Sequence, residues 1–396
     1  MRLTHLQVTN YRNIERLEID LPHSTGVFVG ANAQGKSNIL EAIYMLATMR
    51  AARADYDAQV IRRDVLDEVL PAARVVGQAE TADGPLKVEV TVTARGGPKG
   101  PIGTKTTKIN GVPKRLSDAV GRLTAVLFTA DDLELISGSP SDRRRYLDIT
   151  LSQVDHAYAT ARSRFERVLT QRNHLLKRIR EASASRDELP YWDGELAKDG
   201  AVLFHRRARS LAAIAAIARE AHARLAPSER LLVEYRPRLI PLRLDLATAD
   251  EAAITEAYEH ALAATLSRDV AAGMTLNGPH RDDVAFTLDD MAADGFASRA
   301  QQRTIALALR LAEARFLRDR RGDPPLLLLD DILSEMDAAR RDSVLGTLGD
   351  VDQMVVTGTD WDRFPRSFLA GASQFAVESG SVQVLEAAPG PKTEAT

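Results

Sequence analysis

The spacing of hydrophobic positions changes period along the 396-residue chain, and the changes divide it into regions. Near the N-terminus Leu17, Ile19 and Leu21 alternate with polar residues, the pattern of a half-buried strand. Leu86, Val88, Val90 and Val92 repeat it over 86–93, and Asn110-Gly111 between Ile109 and Val112 predicts a hairpin turn. The Gly/Pro-rich stretch 96–103 reads as a loop. From about Gln153 the spacing turns helical, with Tyr158, Ala161, Phe165, Leu175, Leu176 and Ile179 in one stripe. A polar break at 183–190 follows, and a second helix is predicted from about Asp193 to Leu225, ahead of Pro227. Thirty or so helical residues extend roughly 50 Å. Two such helices joined by a short break predict an antiparallel hairpin, an arm or a lid. Strand patterns return over 231–246, and a helix is predicted over about 251–266. Val377 and Val382 to Leu385 flank a Ser-Gly-Ser turn and predict a final hairpin, and the tail 387–396 reads as disordered.

The most specific local pattern interrupts the first strand region. Val27-Phe28-Val29 predicts a buried strand that stops at Gly30, and Ala31, Asn32, Ala33, Gln34, Gly35, Lys36, Ser37 and Asn38 follow. The residues after Ser37 open a helix with apolar positions at helical spacing. This is G-x-x-x-x-G-K-S in its strand–loop–helix setting, a P-loop. Gly30 and Gly35 can take backbone angles closed to other residues, so successive N–H groups can face phosphate oxygens. The helix that follows adds its positive end. Lys36 is placed to reach the β/γ-phosphates and the Ser37 hydroxyl to bind magnesium, so ATP with Mg2+ is the expected cofactor.

A magnesium-bound triphosphate needs a partner carboxylate. Leu326 to Leu329 form a buried-strand run that enters Asp330-Asp331. Asp330 is expected to hold the metal and Asp331 to orient or deprotonate the attacking water. Ser334-Glu335-Met336-Asp337 then reads as an acidic loop suited to lie against a partner subunit. Upstream, Ser298 stands just before a strongly helical run from Thr304 to Leu311, a seat for a phosphate or an ordinary cap.

Composition narrows the class. Zero cysteines exclude disulfides and zinc–thiolate sites and agree with a cytoplasmic location. No early signal-peptide pattern is present, and the Ala-rich run 211–218 is too short to span a bilayer. The net charge of −3 is unevenly spread. From Ser139 to Arg180 ten basic residues face four acidic ones, a local +6; from Asp323 to the end five face thirteen, a local −8. A polyanion would meet the first region and avoid the second. The DNA-facing candidates are Arg143, Arg144 and Arg145, then Arg162, Arg164, Arg167 and Arg172, with Lys105 and Lys108 as a second group. The arginine triplet could instead tie the arm to the head through carboxylates. Aromatic residues at 5% leave little for a single-strand stacking platform. His280-Arg281-Asp282-Asp283 reads as an ion-pair network ahead of a metal site.

The order of P-loop, long insertion, Ser298 segment, Asp-Asp strand and acidic loop resembles the ABC-type ATPase head. The wide separation of Ser37 from Asp330 resembles its SMC-like branch, which works on DNA. Within that branch the chain resembles the RecF family. The matching segments are Tyr11-Arg12-Asn13, 30–44, 127–136, Ser139 to Asp148, 171–173, 276–283 and 357–360. The resemblance implies an α/β fold, a mixed sheet with flanking helices, carrying an inserted helical arm. The head would comprise 1–139 and 229–386 and the arm 140–228. It further implies an ATPase of recombinational repair and replication-fork maintenance that dimerises on ATP at gapped or junction DNA. Such a protein works with RecO and RecR to load the recombinase RecA.

In the family pattern Arg12 and Asn13 lie close to the nucleotide, and Ser298 and Gln301 face the other subunit's P-loop, though a strand-end turn also accounts for the first pair. Two departures bear on rate. Ala300 stands where the family's signature segment usually has Gly, and no histidine stands near 357–360, so slow hydrolysis is expected. For a glutamine on the magnesium side only Gln59 offers itself. A scaffold that binds ATP without hydrolysing it is the alternative that remains open.

Overall fold

The structure, a computed structural model, describes residues 1–96, 102–241, 244–332, 341 and 351–386. The chain forms two compact units, Met1–Asp131 with Glu313–Thr396, and Asp132–Ala312.

The first unit contains two six-stranded sheets. In the central one the order is Ser381–Glu386, Ala372–Glu378, Thr25–Val29, Met354–Gly358, Leu326–Leu329 and Ala125–Phe128. All its pairings are parallel except the terminal hairpin. The three strands after Thr25–Val29 are buried along their whole length, which is why they read as continuous apolar runs instead of alternating ones. Phe28 and Phe375 stack across neighbouring strands at 4.4 Å. The second sheet is antiparallel, ordered Ile14–Asp20, Arg2–Tyr11, Ala72–Thr81, Gly84–Arg95, Ile102–Ile109 and Val112–Lys114. Its alternation is the one read from sequence: Leu17 and Ile19 are buried, as are Val88, Val90 and Val92. Asn110 and Gly111 turn with positive φ between Ile109 and Val112. The stretch expected as a loop at 96–103 is shorter at its far end, where a strand begins at Ile102; residues 97–101 lie outside the described residues. Helix Lys36–Thr48 contacts strands of both sheets, and every residue from Ile39 to Thr48 is buried.

The second unit is built on helices Pro140–Ser152, His156–Arg180, Leu189–Leu225 and Glu251–Ala272, with a small sheet of Met291–Ala292, Asp283–Leu288 and Leu231–Arg236. The two long helices run antiparallel, since Arg164 pairs with Asp199 and Arg172 with Asp193. The second begins at Leu189, four residues earlier than expected, with Pro190 in its first turn where a missing N–H costs nothing.

Three expectations are corrected. The strand expected over 231–246 ends at Arg236, ahead of Pro237, which cannot donate to a ladder. The following helix extends six residues past 266, to Ala272, where Gly273 in the left-handed region closes it. That helix packs on both arm helices, so the arm is a three-helix body, with Leu266 and Val270 against Leu175, Leu176 and Leu189. Helix Glu251–Ala272 and the small sheet lie in the second unit together with the two long helices. Among the described residues no helix is long and apolar enough to cross a membrane. The acidic loop 334–337 and the tail 387–396 lie outside the described residues.

Candidate nucleotide site and charged clusters

The P-loop is fixed from both sides. A Cβ on Gly30 would lie 2.1 Å from the Val377 carbonyl oxygen, so the strand and the terminal hairpin can approach only at glycine. Gly35 has φ 110 and caps helix Lys36–Thr48, and a Cβ there would meet Asn13 Oδ1 at 2.8 Å. Between them Ala33 takes φ 63, a left-handed conformation that a non-glycine residue holds only under constraint. The constraint is visible one residue on. Gln34 accepts the Ser379 N–H at Oε1 (2.6 Å) and the Gly380 N–H at its backbone carbonyl (2.8 Å), which clamps the loop to the terminal turn. Asn38 Nδ2 donates to Asn13 Oδ1 at 2.8 Å.

Lys36 Nζ donates to the Gly30 and Ala31 carbonyls at 2.7 and 2.8 Å. Burial pulls its ammonium below the ordinary value, against the opposing charges of Asp331 and Asp330. The Ser37 hydroxyl donates to Asp330 Oδ1 at 2.7 Å, which joins the start of the helix to the end of strand Leu326–Leu329. Thr357 Oγ1 donates to the same oxygen at 3.0 Å and accepts the Asp331 N–H at 3.0 Å. Asp331 has φ 54, so the turn that carries it is also held off the common backbone regions. A hydroxyl and a carboxylate side by side, both hard oxygen donors, fit magnesium, which is ordinarily held by one or two such groups plus phosphates and waters. Among the described residues no cluster of three or more His, Cys, Asp or Glu has the makings of an all-protein metal cage.

Two residues of this site were not among those the sequence singled out. Arg53 Nη2 is paired with Asp330 Oδ2. Glu41, buried in the middle of helix Lys36–Thr48, accepts Arg12 Nε and Nη2 at 2.9 and 3.0 Å and the Arg53 N–H at 2.9 Å. Burial raises the Glu41 carboxyl, but the Arg12 bonds and the Arg53 N–H outweigh it and hold it below its ordinary value. Arg12 itself has φ 56 and donates to the Gln59 carbonyl at 3.1 Å. Asn13 thus meets the loop directly, whereas Arg12 is engaged with Glu41. The Gln59 side chain accepts the Asp55 N–H at 2.7 Å. A lone charged residue inside the otherwise uncharged, buried run 39–48, as Glu41 is, is the feature that could have flagged this network.

In the second unit Ser298 is exposed at the start of helix Arg299–Arg321. Its N–H donates to Gln301 Oε1 at 2.8 Å and its Oγ accepts the Gln301 N–H at 3.3 Å, a reciprocal cap. Gln301 Nε2 reaches Glu229 Oε1 at 3.1 Å.

The basic residues sort differently from their sequence grouping. Arg143 is buried, with Nε 2.6 Å and Nη2 3.1 Å from the two oxygens of Asp283, so it is withdrawn from the DNA-facing set. Lys105 is withdrawn as well: its Nζ sits 2.6 Å from Asp57 and 2.7 Å from the Met49 carbonyl, with 6% of the side chain exposed. Arg172 is fully buried between Asp193 and Asp269. The physical reason is common to all three, since a carboxylate distant in sequence neutralises each of them out of water. Arg144 is half-buried and donates to the Asp282 carbonyl at 2.7 Å; burial and the charge of Arg207 lower its guanidinium. Arg164 pairs with Asp199 at 2.8 Å, and Arg162 with Glu166 and Asp148 at 3.5 and 4.0 Å. Arg145 and Arg167 are exposed, and Lys108 keeps half its surface beside Glu89 at 3.5 Å.

The segment 280–283 is an ion-pair network around Arg207, whose guanidinium binds Asp148 at 2.7 Å, Asp282 at 2.9 Å, the Tyr158 hydroxyl at 2.9 Å and the Pro279 carbonyl at 2.6 Å. Burial pushes the Asp282 carboxyl up to about 6, against Arg207, Tyr235 and the Arg238 N–H. Burial likewise pushes the His280 imidazole down to about 4.

Residues 2–364 match the family described as RecF/RecN/SMC N terminal domain. The chain is 40% identical over 394 residues to the DNA replication and repair protein RecF of Chloroflexus aurantiacus, a match covering 96% of this chain and 99% of that one. It is 36% identical over 387 residues to the protein of that name from Geobacillus thermodenitrificans, with coverage of 96% and 99%. It superposes with a TM-score of 0.85 and 29% identity on the solved structure of the recombination mediator protein RecF-ATP in the RecFOR pathway, over 97% of this chain and 98% of that one. An SMC head bound to the C-winged helix domain of ScpA shares the fold at a TM-score of 0.53 and 16% identity, over all of both chains. With a family match across nearly its whole length, relatives at this identity and the RecF/SMC head-like α/β architecture, the chain belongs to the RecF family.

Proposed function

We propose that this chain binds ATP and magnesium at the P-loop of its first unit, dimerises on the nucleotide and holds gapped or junction DNA during recombinational repair and replication-fork maintenance. The observation that carries the reading is the 2.7 Å bond from Ser37 to Asp330, two residues 293 positions apart that meet at the end of a buried strand. A relative captured with ATP in the RecFOR pathway supports the ligand, and it supports RecO- and RecR-type mediators as partners in recombinase loading.

The chain's own groups divide the work. Backbone N–H groups of 31–37, at the loop and the first turn of helix Lys36–Thr48, face the phosphates. Lys36 exchanges its loop carbonyls for the β/γ-phosphates, and Asn13 steadies the loop through Asn38. Ser37 and Asp330 hold the magnesium ion, which when bound offsets the charge that develops on the transferred phosphoryl group. Asp331, its backbone fixed by Thr357, orients the attacking water. Ser298 and Gln301, already coupled as a cap, present a helix N-terminus to the γ-phosphate held by a second copy. Nucleotide then acts as dimer glue and slow hydrolysis as release. Exposed basic side chains, Arg145 and Lys108 among them, face DNA phosphates, and the protein acts in the cytoplasm.

The test is sedimentation velocity with MgATP, with MgADP and without nucleotide, each with a labelled gapped duplex. A dimer in MgATP alone, carrying the DNA, is expected. A monomer in all three conditions with nucleotide-independent DNA binding would overturn the dimer mechanism.

A further inference from the structure

The Asp330 carboxylate takes three donors within its own chain. Oδ1 accepts Ser37 Oγ and Thr357 Oγ1 at 2.7 and 3.0 Å, and Oδ2 faces the Arg53 guanidinium. The two cationic arrangements open to Asp330 compete. A carboxylate oxygen aimed at a guanidinium N–H cannot give the same lone pair to a metal ion or to its bound water, and two cations on one carboxylate repel. Asp330 is 8% exposed and Arg53 39% exposed, so the guanidinium is the member of the pair able to leave for solvent.

The anchor of Arg53 is separate from its charge. Its backbone N–H is held at 2.9 Å by Glu41, which Arg12 fixes through two bonds. The side chain can therefore swing away while the backbone stays in place, and it stays poised to return.

We propose that Arg53 is a resident counter-ion of the magnesium seat, a positioning residue that competes with the divalent cation for Asp330 and must be displaced when the metal binds. The inference rests on the nucleotide reading above and adds to it a cost built into metal binding. The chain would bind metal-free nucleotide at the P-loop with Asp330 neutralised by Arg53, and admit the cation only in exchange for that pair. Removing the guanidinium should tighten the metal, and keeping a positive charge on a different head group should leave it near the parent value.

The experiment uses the full-length chain and manganese as a paramagnetic stand-in for magnesium. Free Mn2+ is followed by electron paramagnetic resonance at saturating ADP, and ADP affinity is measured separately in EDTA. Arg53→Ala is expected to bind Mn2+ about threefold tighter than the parent, the size of a partly exposed ion pair, with ADP affinity in EDTA no tighter, since Asp330 is then left without its counter-ion. Arg53→Lys is expected close to the parent. Arg53→Met, which keeps side-chain length and removes the charge, carries the test should alanine loosen the segment. Unchanged or weaker Mn2+ binding in the neutral variants would overturn the proposal. A parent chain that binds no ADP even in EDTA would count against the nucleotide reading itself, a distinct failure.

Discussion

Asp330 and Asp282 are both buried carboxylates at the edge of a β-strand, one in each unit, and both face an arginine. Their surroundings differ in kind. Asp330 takes hydroxyls from a helix start and a strand, and its arginine comes from the segment after helix Lys36–Thr48 and is partly exposed. Asp282 faces Arg207, 3% exposed and in the middle of a 37-residue helix, together with the Tyr235 hydroxyl and the Arg238 N–H. Arg207 spends its remaining donors on Asp148, Tyr158 and the Pro279 carbonyl. The first carboxylate has partners that can be exchanged; the second sits in a closed cage. On the reading proposed above, the same residue type serves ligand exchange in one place and fold integrity in the other, and the exposure of its arginine marks the difference.

The largest expected effect is on the cage. Arg207→Met removes the cation while leaving Asp148, Asp282 and two tyrosine hydroxyls inside, and should cost about 3–5 kcal/mol in urea unfolding. A loss below about 1 kcal/mol would mean that the cage is open to water and no different from the Asp330 site.

The same cage should show in pH dependence. The folded Asp282 carboxyl titrates near 6, above its ordinary value of 3.8, so the folded state holds the proton more tightly. Its stabilising contribution is therefore present below about pH 4 and lost as pH rises through about 6, by up to about 3 kcal/mol. Asp282→Asn has no carboxyl to titrate there. Compared by denaturant midpoint at pH 4 and pH 7, the parent should lose stability relative to the variant as pH rises, and a parallel pair of curves would contradict the assignment.

Lys36→Ala marks the other side of the contrast. It should lower ATP affinity tenfold or more, the weight of a charged hydrogen bond at about 1.5–3 kcal/mol, while stability falls less than in Arg207→Met. A large stability loss with little change in ATP affinity would make Lys36 a cage residue instead.

The smallest effects belong to the exposed basic residues. Replacing Arg145 or Lys108 by Gln should reduce the slope of log affinity against log salt for duplex DNA by about 0.9 each. A slope identical to the parent's at both positions would remove them from the DNA surface.

What could be read in the sequence follows from how local its cause is. Gly30 and Gly35 are required by a close approach and a left-handed backbone angle, and Leu326 to Leu329 by burial on both faces; each constraint is written where it acts. The alternation at Val88, Val90 and Val92 is legible for the same reason. Arg143 and Lys105 are the opposite case. Charge density along the chain shows that they are basic, but whether a basic group is free depends on Asp283, 140 positions away, and on Asp57, 48 positions away. The third arm helix was visible as a helix, yet its partner was not, because Asp269 sits near its polar C-terminal end and reads as solvated until Arg172 is placed beside it. Arg53 and Glu41 escaped detection because neither stands in a spaced motif.

The most direct measurement is calorimetric titration of ATP into the full chain and into Ser37→Ala, with magnesium and with EDTA. One nucleotide per chain is predicted, with the variant weaker in magnesium and equal to the parent in EDTA, since Ser37 acts through the metal. Equal affinity of both proteins in magnesium would contradict the assignment of Ser37 and Asp330 as the metal-holding pair.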